Sequence, residues 1–444
     1  MPASLSPARR AAAEAIARDA ARFPNLPPSH LDTTRLASAD AALATAIHRT
    51  VLQRWLTLEH LLTPLVKPGL ARVEPALRAI LLTGATQQLF MDRLPAYAIV
   101  NDAAELARVM VRPGAAALAN AVLRRVGELV AGREPQTPWQ PASDVIPLDE
   151  GVLRLARPLL PSAEDHLDRH LAVATSHPPR LVRRWLETYG PVDATAICRQ
   201  AIRTPPTFVA VEPGFHPPAG EEDGVAVESE AGVTHLLWRS DHARLRGFLA
   251  EHPARRVQDP ASTASLAAAR ELSLATVLDA CAGQGTKTRQ LVAEHPEAVV
   301  YASDPDAGRR EELGKLAGAI PRVRVLEPGE RPPEPVDLLL LDVPCSNTGV
   351  LARRPEARYR FNSRSLTDVT RLQREIIANT LPAVRRGGWV LYATCSIEPE
   401  ENLEQVRHIL QQQGGELVTQ QQILPGGRSA GWHDGSYHAL IRLP

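Results

Sequence analysis

Two cysteines of this 444-residue chain directly follow apolar runs that are typical of strands. Cys345 comes after Val336–Leu341, in the stretch LLLLDVPCSNTG, and Cys395 comes after Trp389–Ala393, in WVLYATCS. A cysteine is often simply a small buried apolar residue, and that explanation is adequate for the chain's other two cysteines. It is a poor explanation for two separate thiols at strand ends. A zinc site is also disfavoured, because no Cys-x-x-Cys pair or neighbouring pair of histidines accompanies them.

A glycine-containing loop and an acid follow two further strand-like runs. Thr276–Leu278 leads into DACAGQGTKT, in which Gly283 and Gly285 let the backbone approach a ligand before a helix begins near Lys287. The spacing matches neither a phosphate loop nor the dinucleotide fingerprint. Asp304 follows the next run, where an acid accepts hydrogen bonds from a ribose diol, and its alternative role is a helix cap. Together the loop and the acid indicate an adenosine-type cofactor.

Two thiols and an acid beside such a cofactor suit the methylation of carbon 5 of a cytosine. A thiolate that adds to carbon 6 turns the ring into an enamine, whose carbon 5 attacks an electrophilic methyl group. The proton on carbon 5 then leaves and the thiolate is eliminated, a step that a second thiol can assist. Asp342, which ends the run before Cys345, is placed to hydrogen-bond ring nitrogen 3. This chemistry accounts for both cysteines and the carboxylate.

The chain resembles the RsmB (Sun/Fmu) family of S-adenosylmethionine-dependent ribosomal RNA cytosine-C5 methyltransferases. The matching stretches are VLDACAGQGTKT, YASDPD, LLLLDVPCSNTGVLARRPEARYRF and WVLYATCSIEPEEN. The resemblance implies that Cys395 is the attacking nucleophile, that Cys345 aids product release and that Asp342 faces the target base. It also implies an S-adenosyl-L-methionine site lined by Cys281, Ala282, Gly283, Gln284, Gly285, Thr286, Lys287, Asp304 and Asp342.

The cofactor site departs from the family pattern in two places. The family loop usually reads Cys-Ala-x-Pro-Gly-Gly-Lys; here Gln284 frees a φ angle and Thr286 adds a β-carbon. The family's acid after the third strand is missing, and Glu327 is the candidate that replaces it. Lys287 matches the family in a chain with only two other lysines, Lys67 and Lys315, among its 50 basic residues. A functional role for Lys287 is therefore expected.

A basic stretch follows the Cys345 loop. Residues 351–386 hold nine arginines and three acids, although the whole chain has zero net charge. Beside a base-modifying site, we expect arginines here to contact RNA phosphates. The expected contacts are Arg353, Arg354, Arg358 and Arg360. The expected partner is small-subunit (16S) ribosomal RNA, with the target base in a loop or bulge from which it can be unstacked.

The elements that position these residues form three predicted domains. Residues 1–135 are helical and resemble the NusB-like RNA-binding domain of the family, through VNDAAELA and NAVLRR. Residues 136–150 are proline-rich and predicted to be a linker. Residues 151–250 are predicted to be a small α+β module that resembles the family's ferredoxin-like one. Residues 251–444 alternate strand and helix, which predicts an α/β, Rossmann-like class I methyltransferase domain with a mostly parallel sheet.

Composition limits the remaining possibilities. The chain is 44% hydrophobic and 23% charged, as globular proteins are, and no uncharged apolar run approaches the roughly 18 residues of a membrane span. Four cysteines in a chain this long exclude a disulfide scaffold. We expect a cytoplasmic monomer with no metal and no membrane partner. Two alternatives stay open: a transfer RNA substrate for the same chemistry, and a non-catalytic RNA-binding factor for ribosome assembly. The presence of both thiols favours the enzyme.

Overall fold

The chain forms two compact units, and each unit is built from two separate stretches of sequence. The computed structural model describes residues 5–28, 31–67, 69–91, 94–212, 214–215, 224–228 and 233–444. The first unit contains the residues up to Thr204 together with Leu351–Asn362, and the second contains Pro205–Val350 and Ser363–Pro444. These two units do not correspond one to one with the three predicted domains, which stay a prediction; the segment Leu351–Asn362, from the predicted catalytic domain, belongs to the first unit.

Five helices open the first unit, in the region predicted to be helical. They are α1 (Pro7–Ala20), α2 (Ser38–Leu62), α3 (Pro75–Phe90), α4 (Ala96–Met110) and α5 (Ala115–Glu128). α1 and α3 begin with proline, whose fixed φ and missing N–H suit the first helical position. Apolar residues at helical spacing on α2, among them Ile47, Val51, Trp55 and Leu58, are fully buried in the core of this unit.

A small antiparallel sheet and two helices complete the first unit up to Thr204. The sheet has the order β1-β3-β2, formed by β1 (Val130–Glu134), β2 (Val145–Pro147) and β3 (Val152–Leu155). The helices that follow are α6 (Leu167–Ala174) and α7 (Pro179–Gln200), which kinks at Gly190. The prediction of a linker over 136–150 is wrong for its last part, because Val145 and Ile146 are buried and pair with β3.

The second unit begins with a four-stranded antiparallel sheet. Its elements are β4 (Thr207–Ala210), β5 (Gly224–Glu228), β6 (Thr234–Trp238), α8 (His242–Ala250) and β7 (Arg256–Val257), with the strand order β5-β6-β4-β7. Asp241 caps α8 by accepting hydrogen bonds from the N–H groups of Ala243 and Arg244. The predicted α+β character is present here. The ferredoxin-like arrangement, whose element order is β-α-β-β-α-β, stays a prediction.

The larger sheet of the second unit has seven strands in the order β10-β9-β8-β11-β12-β14-β13. Strands β8 to β12 are parallel to one another. β14 pairs in antiparallel fashion with both β12 and β13. The elements are α9 (Pro260–Ala264), β8 (Thr276–Asp279), α10 (Thr286–Glu294), β9 (Val299–Ala302), α11 (Ala307–Ala319), β10 (Val323–Val325), β11 (Val336–Asp342), α12 (Ser363–Thr380), β12 (Val384–Thr394), α13 (Leu403–Gln413), β13 (Glu416–Ile423) and β14 (Ser436–Arg442).

Both faces of this sheet are buried, as the uninterrupted apolar sequence of β11 predicts. Leu338 and Leu340 pack in the core beneath α10 and α11, whereas Leu339 and Leu341 pack in the core beneath α12 and α13. The Rossmann-like methyltransferase fold is therefore confirmed. The carboxyl ends of β8, β9, β11 and β12 meet at one edge of the sheet, where such folds bind their ligands. No helix in the described part of the chain is long and apolar enough to cross a membrane.

Candidate active site

The two strand-end cysteines lie side by side. β11 and β12 are parallel neighbours, with Asp342 paired to Ala393, so the loops that follow leave the sheet together. The Sγ atoms of Cys345 and Cys395 are 3.2 Å apart, and both residues are partly exposed. Two thiols at this distance can act on the same atom of a substrate.

The loop after Cys345 is shaped to lie against the loop of Cys395. Gly349 donates its N–H to the carbonyl of Cys395 at 3.0 Å, and a Cβ on Gly349 would come within 2.7 Å of that carbonyl oxygen. Only glycine therefore fits at this crossing. Asn347 adopts a left-handed φ of 63° and connects the two cysteines, because its amide nitrogen donates to the Cys345 carbonyl at 2.9 Å and its amide oxygen accepts from the Cys395 thiol at 3.5 Å.

The surroundings of three cysteines favour the protonated thiol. The contact with Cys395, burial and the charge of Glu401 together raise the pKa of the Cys345 thiol well above its usual value. Burial also raises the pKa of Cys198, in the first unit, to about 12, and burial followed by nearby aspartates raises that of Cys281. Cys345, Cys198 and Cys281 are therefore held as neutral thiols at neutral pH.

The predicted cofactor loop contains two glycines with different surroundings. Both have left-handed backbones, with φ of 56° at Gly283 and 85° at Gly285. A Cβ on Gly283 would meet nothing within 4 Å, so the space above this residue is open. A Cβ on Gly285 would come within 2.7 Å of Leu316 on α11. Gly283 thus leaves room at the loop, whereas Gly285 lets α10 pack, and α10 begins directly after it at Thr286.

Asp304 is buried and held to the cofactor loop. Its Oδ2 accepts the Gly283 N–H at 3.1 Å, and its Oδ1 accepts the Asp306 N–H at 2.9 Å. The residue that caps α11 is Asp306, so the cap considered for Asp304 is supplied by its neighbour. Glu327 is three-quarters exposed and pairs with Arg310, which also donates to the Asp304 carbonyl. Glu327 is thus linked to Asp304 through one arginine.

Charged groups cluster at the ends of β8 and β11. Lys287 Nζ lies 2.7 Å from Asp342 Oδ1, and the aspartate is the more exposed partner. Asp279 is fully buried, and burial, together with the charge of Asp342, raises its pKa to about 7. Burial, together with the charge of Lys287, lowers the pKa of His438 on β14 to about 4. Asp279 and His438 were not predicted as site residues, although Asp279 stands inside the quoted stretch DACAGQGTKT.

Glu401 and Asn402 were also missed, although both belong to the quoted stretch WVLYATCSIEPEEN. Asn402 accepts a hydrogen bond from the Thr394 hydroxyl at 2.6 Å and donates to the Ser396 carbonyl at 2.9 Å. It therefore holds the residues on both sides of Cys395. The fully buried Glu401 contacts the serine that follows each cysteine. Within the described ranges, no group of three or more His, Cys, Asp or Glu side chains is arranged to hold a metal ion.

The four arginines that were expected to contact RNA differ in how exposed they are. Arg354 is exposed, and Arg353 and Arg360 are partly exposed. Arg358 has no exposed surface, and its guanidinium donates to the backbone carbonyls of Thr175, Ser176, Ala201 and Leu351. A guanidinium enclosed in this way cannot reach a phosphate. We therefore remove Arg358 from the expected RNA contacts; it is a packing residue of the first unit.

Comparison with known proteins identifies the family. The model for 16S rRNA methyltransferase RsmB/F matches residues 270–431, and that for the NusB family matches residues 6–128. Ribosomal RNA small subunit methyltransferase B of Pseudomonas putida is 30% identical and covers 87% of each chain. The protein of the same name from Salmonella paratyphi A is 26% identical over 92% of this chain and 91% of its own. The crystal structure of PH0851 has the same fold, with a TM-score of 0.69 at 20% identity over 98% of both chains. The resemblance seen in the sequence is thus confirmed, and the chain belongs to the small-subunit ribosomal RNA methyltransferase B family, with a NusB domain in its first unit.

Proposed function

We propose that this protein methylates carbon 5 of a cytosine in small-subunit (16S) ribosomal RNA, through a covalent bond between Cys395 and carbon 6. The observation that carries the proposal is the pair of thiols 3.2 Å apart at the ends of two adjacent strands. The ribosomal substrate follows from the names of the relatives and from membership of the family. A cytoplasmic monomer stays part of this proposal.

Each of three side chains has a role in the covalent route. The Cys395 thiolate adds to carbon 6 of the base, and a new S–C bond makes carbon 5 nucleophilic. After carbon 5 is methylated, it gives its proton to water, and the electron pair of the broken C–H bond re-forms the C5–C6 double bond and expels the Cys395 thiolate. Cys345 assists this release, and its raised pKa supports a proton-carrying thiol beside the attacking thiolate. Asp342, which is about one-third exposed beside Lys287, accepts a hydrogen bond from ring nitrogen 3 once the addition at carbon 6 has placed a proton on that nitrogen.

The residues at the ends of β8 and β9 fit S-adenosyl-L-methionine. The open space at the Cβ position of Gly283 leaves room for a ligand beside the loop, which a larger residue would reduce. Asp304, fixed by two backbone N–H groups, presents the carboxylate that a ribose diol requires. When bound, this cofactor supplies an electrophilic methyl group. The other residues proposed to line it are Cys281, Ala282, Gln284, Gly285, Thr286, Lys287, Glu327 and Asp342.

RNA is proposed to contact the arginines that the fold leaves accessible. Arg354 is the best candidate, since it is exposed, and Arg353 and Arg360 are partly so. Such contacts neutralise phosphates and position the RNA without reading its sequence.

The covalent route is tested by replacing each thiol with alanine. Cys395→Ala should abolish methylation and leave cofactor affinity nearly unchanged, because its thiol acts on the base. Cys345→Ala should still form the enzyme–RNA adduct but resolve it slowly, so that a band shifted by the mass of the RNA accumulates on a denaturing gel. The double variant should show no band. An adduct in Cys395→Ala but not in Cys345→Ala would reverse the two roles, and an adduct in neither single variant would refute the covalent route.

A further inference from the structure

Glu401 joins the two cysteine loops through one buried carboxylate. Its Oε2 accepts the backbone N–H of Ser346 at 2.8 Å, and its Oε1 accepts the Ser396 hydroxyl at 2.7 Å and also the Ser346 hydroxyl. Ser346 directly follows Cys345, and Ser396 directly follows Cys395. A single side chain thus contacts the residue after each thiol.

Glu401 is itself anchored to the surrounding fold. Tyr392, on β12, donates its hydroxyl to the Glu401 carbonyl at 2.7 Å. Gln373, on α12, donates from its amide to Glu401 Oε2 at 3.2 Å and to the Pro344 carbonyl at 2.9 Å. Glu401 therefore links both loops to each other and to α12 through its carboxylate, and its backbone carbonyl is held by β12.

Burial of the Glu401 carboxylate costs free energy that a bridge of uncharged groups would avoid. Burial raises the pKa of Glu401, which means that the carboxylate is less stable here than in water. Its neighbours offset that cost, because the Ser346 N–H and the Gln373 amide donate to one oxygen and two hydroxyls donate to the other. Asn402, by comparison, bonds to the Cys395 loop and to Gln422 on β13.

We propose that Glu401 is a positioning residue that fixes the Cys345 and Cys395 loops at the separation needed for adduct formation and release. The inference rests on the proposed function for its catalytic meaning, whereas the distance between the thiols can be tested without RNA or cofactor. Diamide provides that test: its N=N bond takes two electrons and two protons from the thiols, and a Cys345–Cys395 disulfide forms as the N=N bond becomes N–N.

The experiment compares Glu401→Ala with wild-type protein and with Glu404→Ala, an exposed position on α13. Peptide mapping by mass spectrometry gives the rate of Cys345–Cys395 cross-linking by diamide. We expect Glu401→Ala to cross-link at least about tenfold more slowly than wild type and than Glu401→Gln, because both serines lose their shared acceptor. Glu401→Gln equally lacks the charge that raises the pKa of Cys345, so its comparison with Glu401→Ala isolates the position of the loops. Glu404→Ala should match wild type. Cross-linking of Glu401→Ala at the wild-type rate would overturn the inference, whatever its methylation activity.

Two further variants keep the test valid if Glu401→Ala does not fold. Glu401→Gln can still accept the Ser346 N–H through its amide oxygen and donate to both hydroxyls, so its cross-linking should recover to within about threefold of wild type. Ser396→Ala retains Glu401 but removes its contact with the Cys395 loop, together with the contacts of the same hydroxyl with Ser346, Thr348 and Glu398, and should cross-link several-fold more slowly. A Glu401→Gln protein as slow as a folded Glu401→Ala, or a Ser396→Ala protein at the wild-type rate, would refute bridging.

Turnover separates positioning from a merely structural role. Misplacing both loops should lower methylation by Glu401→Ala about 100-fold and slow both formation and release of the adduct. Glu401→Gln should recover part of both steps. If Cys395→Ala proves active but Glu401→Ala still cross-links slowly, the covalent function fails and the positioning of the loops stands. If Cys395→Ala is inactive and Glu401→Ala forms and releases the adduct at the wild-type rates, the positioning role fails alone.

Discussion

Gly283 and Gly285 share a left-handed backbone but should respond differently to alanine. At Gly283 the added methyl group would enter open space at the cofactor loop, so the Kd for S-adenosylmethionine should rise about tenfold, or ~1.4 kcal/mol. The strained φ should cost about 1–2 kcal/mol of stability at either position. Gly285→Ala should lose about 1–3 kcal/mol more, because the methyl group collides with Leu316. Calorimetry and urea unfolding measure the two effects, and a larger stability loss in Gly283→Ala would contradict this assignment.

Single residues were predictable where chemistry and position coincide. Cys345, Cys395 and Asp304 were found because reactive or acidic residues directly follow apolar runs. Glu401 was not found, since its partners Ser346 and Gln373 lie 55 and 28 positions away and only the folded chain brings them together. Arg358 misled the prediction for the same reason. Arginine is usually exposed, and four backbone carbonyls that hold it inside leave no trace in the sequence.

At the scale of the elements, Asp279 at the end of β8 makes the stability of the fold depend on pH. Asp279 has a folded pKa of about 7 and an ordinary value of 3.8, so the folded protein binds its proton more tightly than the unfolded chain. Stability from this group is full below about pH 4 and is lost as the pH rises to about 7. Between about pH 4 and pH 7, the free energy of unfolding of Asp279→Asn should therefore rise by about 2–4 kcal/mol relative to that of wild type.

Urea unfolding of the second unit at pH 4.5 and 7.5, for wild type and Asp279→Asn, checks this expectation. The buried histidines His235 and His438, whose pKa values are lowered to about 4, have the opposite pH dependence in both proteins and cancel in the difference. A difference that does not change with pH would show that Asp279 is ionised throughout.

Four apolar strands of the larger sheet were predictable, and its polar edge strand β13 was not. β8, β9, β11 and β12 are apolar runs that end in loops, so their sequences alone revealed them. β13 is mostly exposed and contains three consecutive glutamines, which no strand pattern favours. It forms because β14 pairs with β12 and leaves a free edge beside it. β2 was missed because three residues are too few to show a period.

At the scale of the whole molecule, Arg358 and Arg354 should have opposite phenotypes. Arg358→Ala leaves buried carbonyls without their donor, and should destabilise the first unit by about 3 kcal/mol or more. Arg354 is exposed, so Arg354→Ala should change the free energy of unfolding by less than about 0.5 kcal/mol. It should instead weaken RNA binding and reduce the slope of log K against log salt concentration by about 1. Thermal unfolding and salt titrations measure both. Normal stability with weak RNA binding in Arg358→Ala would restore the original expectation.

The division of the chain into units was the least predictable level. Composition and element type change near residues 130 and 250, and they suggested contiguous domains. The actual partition depends on long-range bonds, such as that from the Tyr359 hydroxyl to the Leu52 carbonyl at 2.6 Å, which a pattern along the sequence does not contain.

The return of Leu351–Asn362 to the first unit has a consequence during translation. After Thr204 has been made, roughly 160 further residues must leave the ribosome before this segment is available. At ~5–20 residues per second, that interval lasts about 8–30 s. Throughout it, the carbonyls of Thr175 and Ala201 lack the Arg358 guanidinium, and the apolar site of Tyr359 is unfilled. A nascent chain shorter than 362 residues therefore exposes an incomplete core to chaperones, and the helices of the first unit complete their packing only after the Cys345 loop has been synthesised.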